Sequence, residues 1–480
     1  MKIKKTASSG GTGNAAKAGL WYTVGNFCIK GISFISIPIF SRLLSQADYG
    51  LYNTFLAYAS ILMILLCGML HASLNNAKYD FPGQLDAYTS SIVLLILFAS
   101  AAAAVLAAGV SPFLGGVAVL GGGMLVLLVL ESLGNALMTF YNTRLSIDFR
   151  YREYLGLALF YSLSSILLSV ALIYLMPGRG YLARALGSIL PLMLIAVYIL
   201  IRLFRTARPK TEKTYWRYGL KFSLPLIPHG FSQVLLSQFD RIMIQIMIGE
   251  AQAGVYSFSY NVGMVYQVIS SSLDTAWTPW FYNQMNAGNE HNIRKKTSLY
   301  IVMMSLIAVL LLLISPELIY ILGGEKYWES RFCVVPIVLG MFFSFLYLLP
   351  VAVEYYHRKT KLIAAATICA ALLNIVLNAI FIPLYGYVAA AYTTVACYFL
   401  YFLFHLIIAR KIQGRFLFDM KVMLLCIAGV MTAAFGCLAL MDAAAARLAL
   451  FGVLIAACAA GAVVKRRELR PLLEKIFQRS

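Results

Sequence analysis

Apolar runs of bilayer length recur from one end of this chain to the other, and nothing else in the sequence limits its fold as severely. Hydrocarbon offers no hydrogen bonds, so a segment that crosses it must satisfy its own backbone, and runs of about 20 apolar residues do this as helices. Fourteen such runs are read at 17–42, 51–72, 87–109, 116–140, 153–175, 181–203, 218–248, 254–281, 297–322, 331–355, 361–382, 386–409, 420–441 and 445–464. Hydrophobic residues make up 61% of the chain and charged ones 12%, where a soluble domain carries roughly 25% charged residues. Segments near 110–116, 176–181 and 382–387 read as tight turns bearing Pro or Gly, and no connector could hold a separate soluble domain. The expected fold class is an all-α integral membrane protein.

The net charge of +20 would suit nucleic acid, but its distribution suits a bilayer. With the N-terminus in the cytoplasm and sides alternating, the cytoplasmic segments hold 30 of the 39 Lys and Arg residues. The opposite side holds Arg42, Arg179, Arg184, Lys326, Arg331 and Arg447, and Lys30, Lys221 and Arg241 fall inside runs. Such a bias is what the positive-inside rule gives for a multi-pass protein with both termini cytoplasmic. The reading is therefore a cell (cytoplasmic) membrane protein in contact with membrane lipids, and nucleic acid is excluded as a partner. The first run is too long for a signal sequence and is expected to remain as a span.

Three short anchors recur in order. Gly50-Leu51-Tyr52 returns as Gly254-Val255-Tyr256, and Pro177-Gly178-Arg179-Gly180-Tyr181-Leu182-Ala183 as Pro383-Leu384-Tyr385-Gly386-Tyr387-Val388-Ala389, at offsets of 204 and 206. Gly19-Leu20-Trp21-Tyr22 finds Gly219-Leu220-Lys221-Phe222. Tandem parallel repeats follow, as in transporters that rock two like halves about a shared cleft. The expected parts are a cytoplasmic N-terminal segment (1–16), an N-lobe of six spans (17–203), a basic cytoplasmic linker (204–217), a C-lobe of six spans (218–411), an extra helix pair (420–464) and a basic amphipathic tail (465–480) lying on headgroups.

Several chemistries have no residues to carry them. No G-x-x-x-x-G-K-[ST] occurs, so no nucleotide-driven pump is encoded. Paired carboxylates and H-x-x-H are absent from any loop long enough to build an active site, so the chain is not read as an enzyme. The eight cysteines lie in or beside runs without C-x-x-C spacing, so no metal and no disulfide is expected. No cofactor is implied.

Polar residues inside the runs occur at helical spacing. Thr23, Asn26, Lys30 and Ser33 share a face of the first run, and His229, Gln233, Ser237 and Asp240 share one of the seventh, beside Arg241. The eighth run carries Tyr260, Gln267, Ser271 and Asp274, the fourth Glu131, Asn135, Thr139 and Asn142, the tenth Tyr347 and Glu354, and the eleventh Asn374 and Asn378. These stripes cannot face lipid. Asn374, Asn378 and the serines read as interhelical hydrogen-bond glue. Asp240-Arg241 reads either as an internal salt bridge or as a ligand contact. Lys30 has no acid within a turn, so it reads as lining a wet cavity that meets an anion. Substrate-binding candidates are Lys30, Arg241, Arg42, Asn26, His229 and Gln233. Ion-coupling candidates are Asp240, Asp274, Glu131 and Glu354, with Na⁺ or H⁺ as the ion. Pro38, Pro225, Pro228, Pro279 and Pro350 would bend or break their runs, and Pro225 with Pro228 suggest a discontinuous helix.

The stretch Pro38-Ile39-Phe40-Ser41-Arg42-Leu43-Leu44-Ser45-Gln46-Ala47-Asp48-Tyr49-Gly50-Leu51-Tyr52 resembles the first-hairpin signature of bacterial oligosaccharide flippases. Leu224-Pro225-Leu226-Ile227-Pro228-His229, then Asp240-Arg241 and Gly254-Val255-Tyr256, resembles their seventh-span pattern. The resemblance covers essentially the whole chain and lies in the polysaccharide branch of the multidrug/oligosaccharidyl-lipid/polysaccharide superfamily. It implies two six-helix lobes plus a C-terminal helix pair. It also implies export of a polyprenyl-pyrophosphate-linked oligosaccharide unit by alternating access, coupling to an ion gradient, and a polysaccharide polymerase as partner. The cationic cavity of the family is carried onto Lys30 and Arg241, and onto Arg42 near the outer mouth. A cation-coupled multidrug exporter of the same fold is the competing reading, and a membrane ligase or transferase would want a larger outer loop. The segment Asn75-Asn76-Ala77-Lys78-Tyr79-Asp80 is read as a loop that does not identify the sugar.

Overall fold

The structure is a computed structural model and describes residue 25, residues 30–110 and residues 122–464. The N-terminal segment, Thr23 and Asn26 of the first stripe, the start of the fourth run and the amphipathic tail lie outside these residues. Every described element is helical, as strong apolar periodicity with few interior Gly requires. In chain order they are α1 (30–43), α2 (Gln46–Cys67), α3 (Leu74–Asp80), α4 (Leu85–Val110), α5 (Gly122–Ile147), α6 (Tyr151–Leu175), α7 (Gly180–Thr206), α8 (Lys213–Ser223) and α9 (Ile227–Met247). They continue with α10 (Glu250–Asn286), α11 (Glu290–Gly323), α12 (Arg331–Tyr356), α13 (Thr360–Tyr385), α14 (Val388–Gln413), α15 (Met420–Ala439) and α16 (Ala444–Val464). Helices answer all fourteen apolar runs, so the all-α membrane fold holds. Among the described residues ten helices are long and apolar enough to cross a bilayer. Helices α9 and α10, though of spanning length, are not among them, because they carry the polar stripes.

One expectation about local structure holds and two are corrected. The seventh run is not one helix: α8 ends at Ser223, a 3-10 turn occupies Leu224–Leu226, and α9 begins at Ile227. Pro225 lacks the N–H that a continuous helix would use, and this interruption is the one expected of it. Pro38, Pro279 and Pro350, by contrast, sit inside α1, α10 and α12, which are not broken at them. Residues 70–80 form a 3-10 turn and α3 in place of the expected loop, because Leu70, Leu74 and Ala77 are buried at helical spacing.

The chain divides into two compact units. The first comprises residues 1–36, 59–227 and 461–480, and the second residues 37–58 and 228–460. In the first unit, Leu74, Tyr88, Ile92, Phe140, Tyr141 and Ile199 form a core shared by α3, α4, α5 and α7. Helix α8 lays its inner face on this core: Trp216 Nε1 donates to the Ser91 carbonyl at 2.9 Å, and Gly219 fits beneath Tyr88 and Ile92. Small residues bring α6 and α7 together, since a Cβ on Gly187 would meet Ser169 Cα at 2.5 Å. In the second unit α12 is the central helix, buried along most of its length against α14 and α10. Two anchor glycines of the tandem repeat meet there: a Cβ on Gly50 would lie 2.0 Å from the Glu250 carbonyl, and one on Gly254 would lie 2.0 Å from the Gln46 carbonyl.

Candidate functional site

The polar residues of the second unit converge on Asp240. It is fully buried on α9, and three neutral groups donate to it. Tyr256 Oη of α10 lies 2.7 Å and Thr394 Oγ1 of α14 lies 2.9 Å from Oδ2, while Asn378 Nδ2 of α13 lies 2.7 Å from Oδ1. A second ring of bonds fixes these donors. Asn378 Nδ2 also reaches Asn374 Oδ1 at 3.2 Å, Asn374 donates to Thr394 Oγ1 at 3.3 Å, and Thr393 Oγ1 donates to Asn378 Oδ1. Helical repeats put these residues together: 374 and 378 are one turn apart on α13, and 393 and 394 open α14 after the Gly386 turn at φ 77°. Asn374 and Asn378 thus act as the interhelical glue expected of them. The cluster is an enclosed carboxylate held by two hydroxyls and one amide N–H.

Arg241 is adjacent in sequence but differently held. Its guanidinium is 4% exposed and lies over the Tyr260 ring at 4.3 Å. Nη1 donates to Gln238 Oε1 and to the Ser237 carbonyl at 3.2 Å, and Nε has no hydrogen-bond partner. Of the two sequence alternatives for Asp240-Arg241, the salt bridge is not formed: the carboxylate accepts from Tyr256, Thr394 and Asn378, while Arg241 Nη1 donates to Gln238 and Ser237.

The remaining candidates are distributed as follows. His229 and Gln233 lie half-buried on the first half of α9; His229 Nδ1 has no partner, and Gln233 faces the Tyr347 hydroxyl. Asp274, half-buried on α10, accepts from Thr278 Oγ1 at 3.1 Å. Glu354 of α12 is paired with His405 Nδ1 of α14 at 2.6 Å. Arg42 donates from Nη2 to the Ile321 carbonyl near the end of α11 at 2.9 Å. Glu131 and Lys30 belong to the first unit. Glu131 is buried and accepts from Asn135 Nδ2 at 3.0 Å and Ser188 Oγ at 3.3 Å, whereas Lys30 is exposed on α1. Asn26 lies outside the described residues. The second unit therefore assembles Asp240 with Tyr256, Thr393 and Thr394, and Glu354 with His405, four partners that sequence reasoning did not nominate. A signal for two of them was present: Thr394, Tyr401 and His405 recur on one face of α14 at steps of seven and four.

The comparisons with known proteins agree with this architecture. The family model described as polysaccharide biosynthesis protein matches residues 15–285, and the MatE model matches residues 225–380. A relative from Haemophilus influenzae, described as Lsg locus putative protein 1, is 23% identical over 375 residues, covering 74% of this chain and 88% of its own. The solved structure of the lipid II flippase MurJ in an inward closed conformation superposes with a TM-score of 0.72 at 14% identity, over 94% of this chain and 99% of that one. An inward-facing multidrug resistance MATE family transporter of the MOP superfamily follows at 0.64 and 12% identity, over 82% and 98%. At these identities the structures speak for the fold, that of the MOP-superfamily transporters and flippases. The match over residues 15–285 speaks for the family: this chain belongs to the polysaccharide biosynthesis protein family.

Proposed function

We propose that this protein is a flippase that moves a polyprenyl-pyrophosphate-linked oligosaccharide from the inner to the outer leaflet for cell-surface polysaccharide synthesis, by alternating access coupled to an ion. The observation that carries the reading is Arg241, a buried guanidinium in a membrane helix whose Nε is unpartnered and whose neighbouring carboxylate is taken by other donors. A sugar-pyrophosphate head cannot cross hydrocarbon unaided, and a charge-assisted contact to phosphate is what a guanidinium offers best. Lys30 and Arg42 are proposed as further substrate-binding cations, with Asn26, His229 and Gln233 as polar contacts. Asp240, Asp274, Glu131 and Glu354 are proposed for the coupling ion, Na⁺ or H⁺. The family description and the fold shared with a lipid II flippase support this cargo class. Both termini are proposed to be cytoplasmic, and a polysaccharide polymerase is proposed as the partner that uses the exported unit.

The test is a Lys30→Ala/Arg241→Ala double variant in cells that depend on this protein. The expected result is normal protein in the membrane, at least a ten-fold loss of surface polysaccharide, and accumulation of the lipid-linked unit on the inner leaflet. Wild-type export by the double variant would overturn the assignment. The MatE match over residues 225–380 favours one second reading, a cation-coupled drug exporter of the same fold. Dye efflux that disappears in Asp240→Asn or Asp274→Asn would support that reading instead.

A further inference from the structure

The Asp240 cluster uses only the first turns of the buried polar face of α14. Further along, Tyr401 shares a hydrogen bond with Thr367 of α13 at 2.7 Å, and His405 meets Glu354 of α12. Both members of that pair are completely buried. His405 Nδ1 and Glu354 Oε1 are 2.6 Å apart, yet His405 Nε2 and Glu354 Oε2 have no hydrogen-bond partner. The walls are aromatic: the Tyr401 ring lies 4.4 Å from the imidazole, and the Tyr347 ring 6.2 Å.

A clasp between α12 and α14 does not require such a pair. The helices are already joined by apolar contacts such as Phe343 with Phe399 (5.1 Å), and replacing a buried ionisable pair with apolar residues of equal volume is commonly neutral or stabilising. What the pair offers that Leu and Phe cannot is a second protonation state. We propose that Glu354 and His405 form a proton-binding pair of the transport cycle, taking up and releasing one proton at the atoms that lack partners. The inference rests on the ion-coupled flippase reading and names H⁺ as the ion held here. In one state a neutral imidazole donates Nδ1–H to a carboxylate, and the pair carries one negative charge. A proton taken from water onto His405 Nε2 or Glu354 Oε2 makes the pair neutral overall, and only that N–H or O–H bond forms.

Tyr355 of α12 and Tyr401 of α14 interact electrostatically with Glu354, and the Tyr347 ring of α12 faces His405. Helix α13 contributes the neutral Thr367, and Asp274 of α10 acts on Tyr347. Helix α11 presents Tyr300 to Phe345 of α12, and α15 carries no charged residue beyond Lys421.

The test counts protons bound by the purified full chain in weakly buffered detergent as the pH is lowered from about 8 to about 5. Glu354→Gln and His405→Gln are each expected to take up about one proton fewer per chain than the wild type, and the double variant to lose no more than either alone. Uptake equal to wild type in both single variants would overturn the proposal. If either variant fails to elute as a monodisperse protein, the measurement moves to a ¹⁵N-histidine chain in which His71, His229, His291 and His357 are replaced by Gln, leaving His405 as the sole imidazole. Its ring nitrogens are expected to shift between the two pH values, and an unchanged spectrum would equally overturn the proposal. The assay needs no saccharide, so a working proton pair in a protein that exports no lipid-linked unit would count against the cargo and not the pair.

Discussion

Replacing Asp240 in two ways separates its structural role from its proposed ionic one. Three donors converge on its carboxylate, from Tyr256, Thr394 and Asn378 on three different helices. Asp240→Ala leaves all three without an acceptor. Interhelical hydrogen bonds inside membranes are worth about 0.6 to 1.7 kcal/mol each, so the loss sums to about 2–5 kcal/mol. Asp240→Asn keeps the shape. The Tyr256 and Thr394 hydroxyls can each rotate to accept from the new amide, and the amide oxygen can still receive Asn378, so the cost falls to about 1 kcal/mol. Melting of the purified proteins, followed by size-exclusion fluorescence, should therefore rank wild type, Asp240→Asn and Asp240→Ala in falling order, with the larger step at Ala. Export of surface polysaccharide should be lost in both, because both remove the charge proposed to bind the coupling ion. An Asp240→Ala protein as stable as wild type would refute the hydrogen-bond argument. An Asp240→Asn protein that exports at the wild-type rate would refute the ionic role.

Gly254→Ala should misassemble the second unit, since the new methyl would lie 2.0 Å from the Gln46 carbonyl and force α2 and α10 apart by roughly 1 Å. The cost of such overpacking is about 1–3 kcal/mol, read as lost monodispersity in detergent, and Gly50→Ala, placed 2.0 Å from the Glu250 carbonyl, should behave alike. Arg241→Lys retains a positive charge but loses the planar fork and most of its stacking on Tyr260, so export should fall at least ten-fold while melting moves little. Export by the Arg241→Lys variant equal to that of the wild type would show that the site needs only charge.

The helical membrane architecture was legible because the bilayer permits so few alternatives, and the break at Leu224–Leu226 because Pro225 cannot donate to a ladder. The same rule failed at Pro279 and Pro350. There the helices continue, since a lost bond inside a packed unit can be compensated by neighbours that a single segment does not reveal. Polar stripes on α9 and α13 announced the positions of Asp240, Asn374 and Asn378, yet not that these residues bond to one another. That depends on how α9, α13 and α14 cross, which no periodicity encodes. Thr394 and His405 escaped notice because α14 is apolar overall, and two polar residues eleven positions apart make a weak stripe. Gly50 and Gly254 were visible as repeat anchors. Their mutual contact was not, because a repeat relates segments by likeness and says nothing of which copies touch.

The buried polar groups of the second unit differ in how much bonding capacity they have left, and this bears on their assignment. Asp240 has little to spare: Oδ2 accepts twice and Oδ1 once, and two of the three donors are themselves tethered, Thr394 by Asn374 and Asn378 by Thr393. A group so enclosed can exchange a proton or a small cation only by rearranging its own ring of donors, which suits an ion that moves with a conformational change. Arg241 is the opposite case. A guanidinium carries five N–H donors, and this one uses a single nitrogen on Gln238 and Ser237 while its face rests on Tyr260. An anionic head could take up that remaining capacity without breaking any bond of the fold. Glu354 with His405 stands between the two, internally paired yet with one atom of each unpartnered. The proposed cargo contact thus lies at the group with the most free donors, where a cargo can bind and leave without unfolding the helices that hold it.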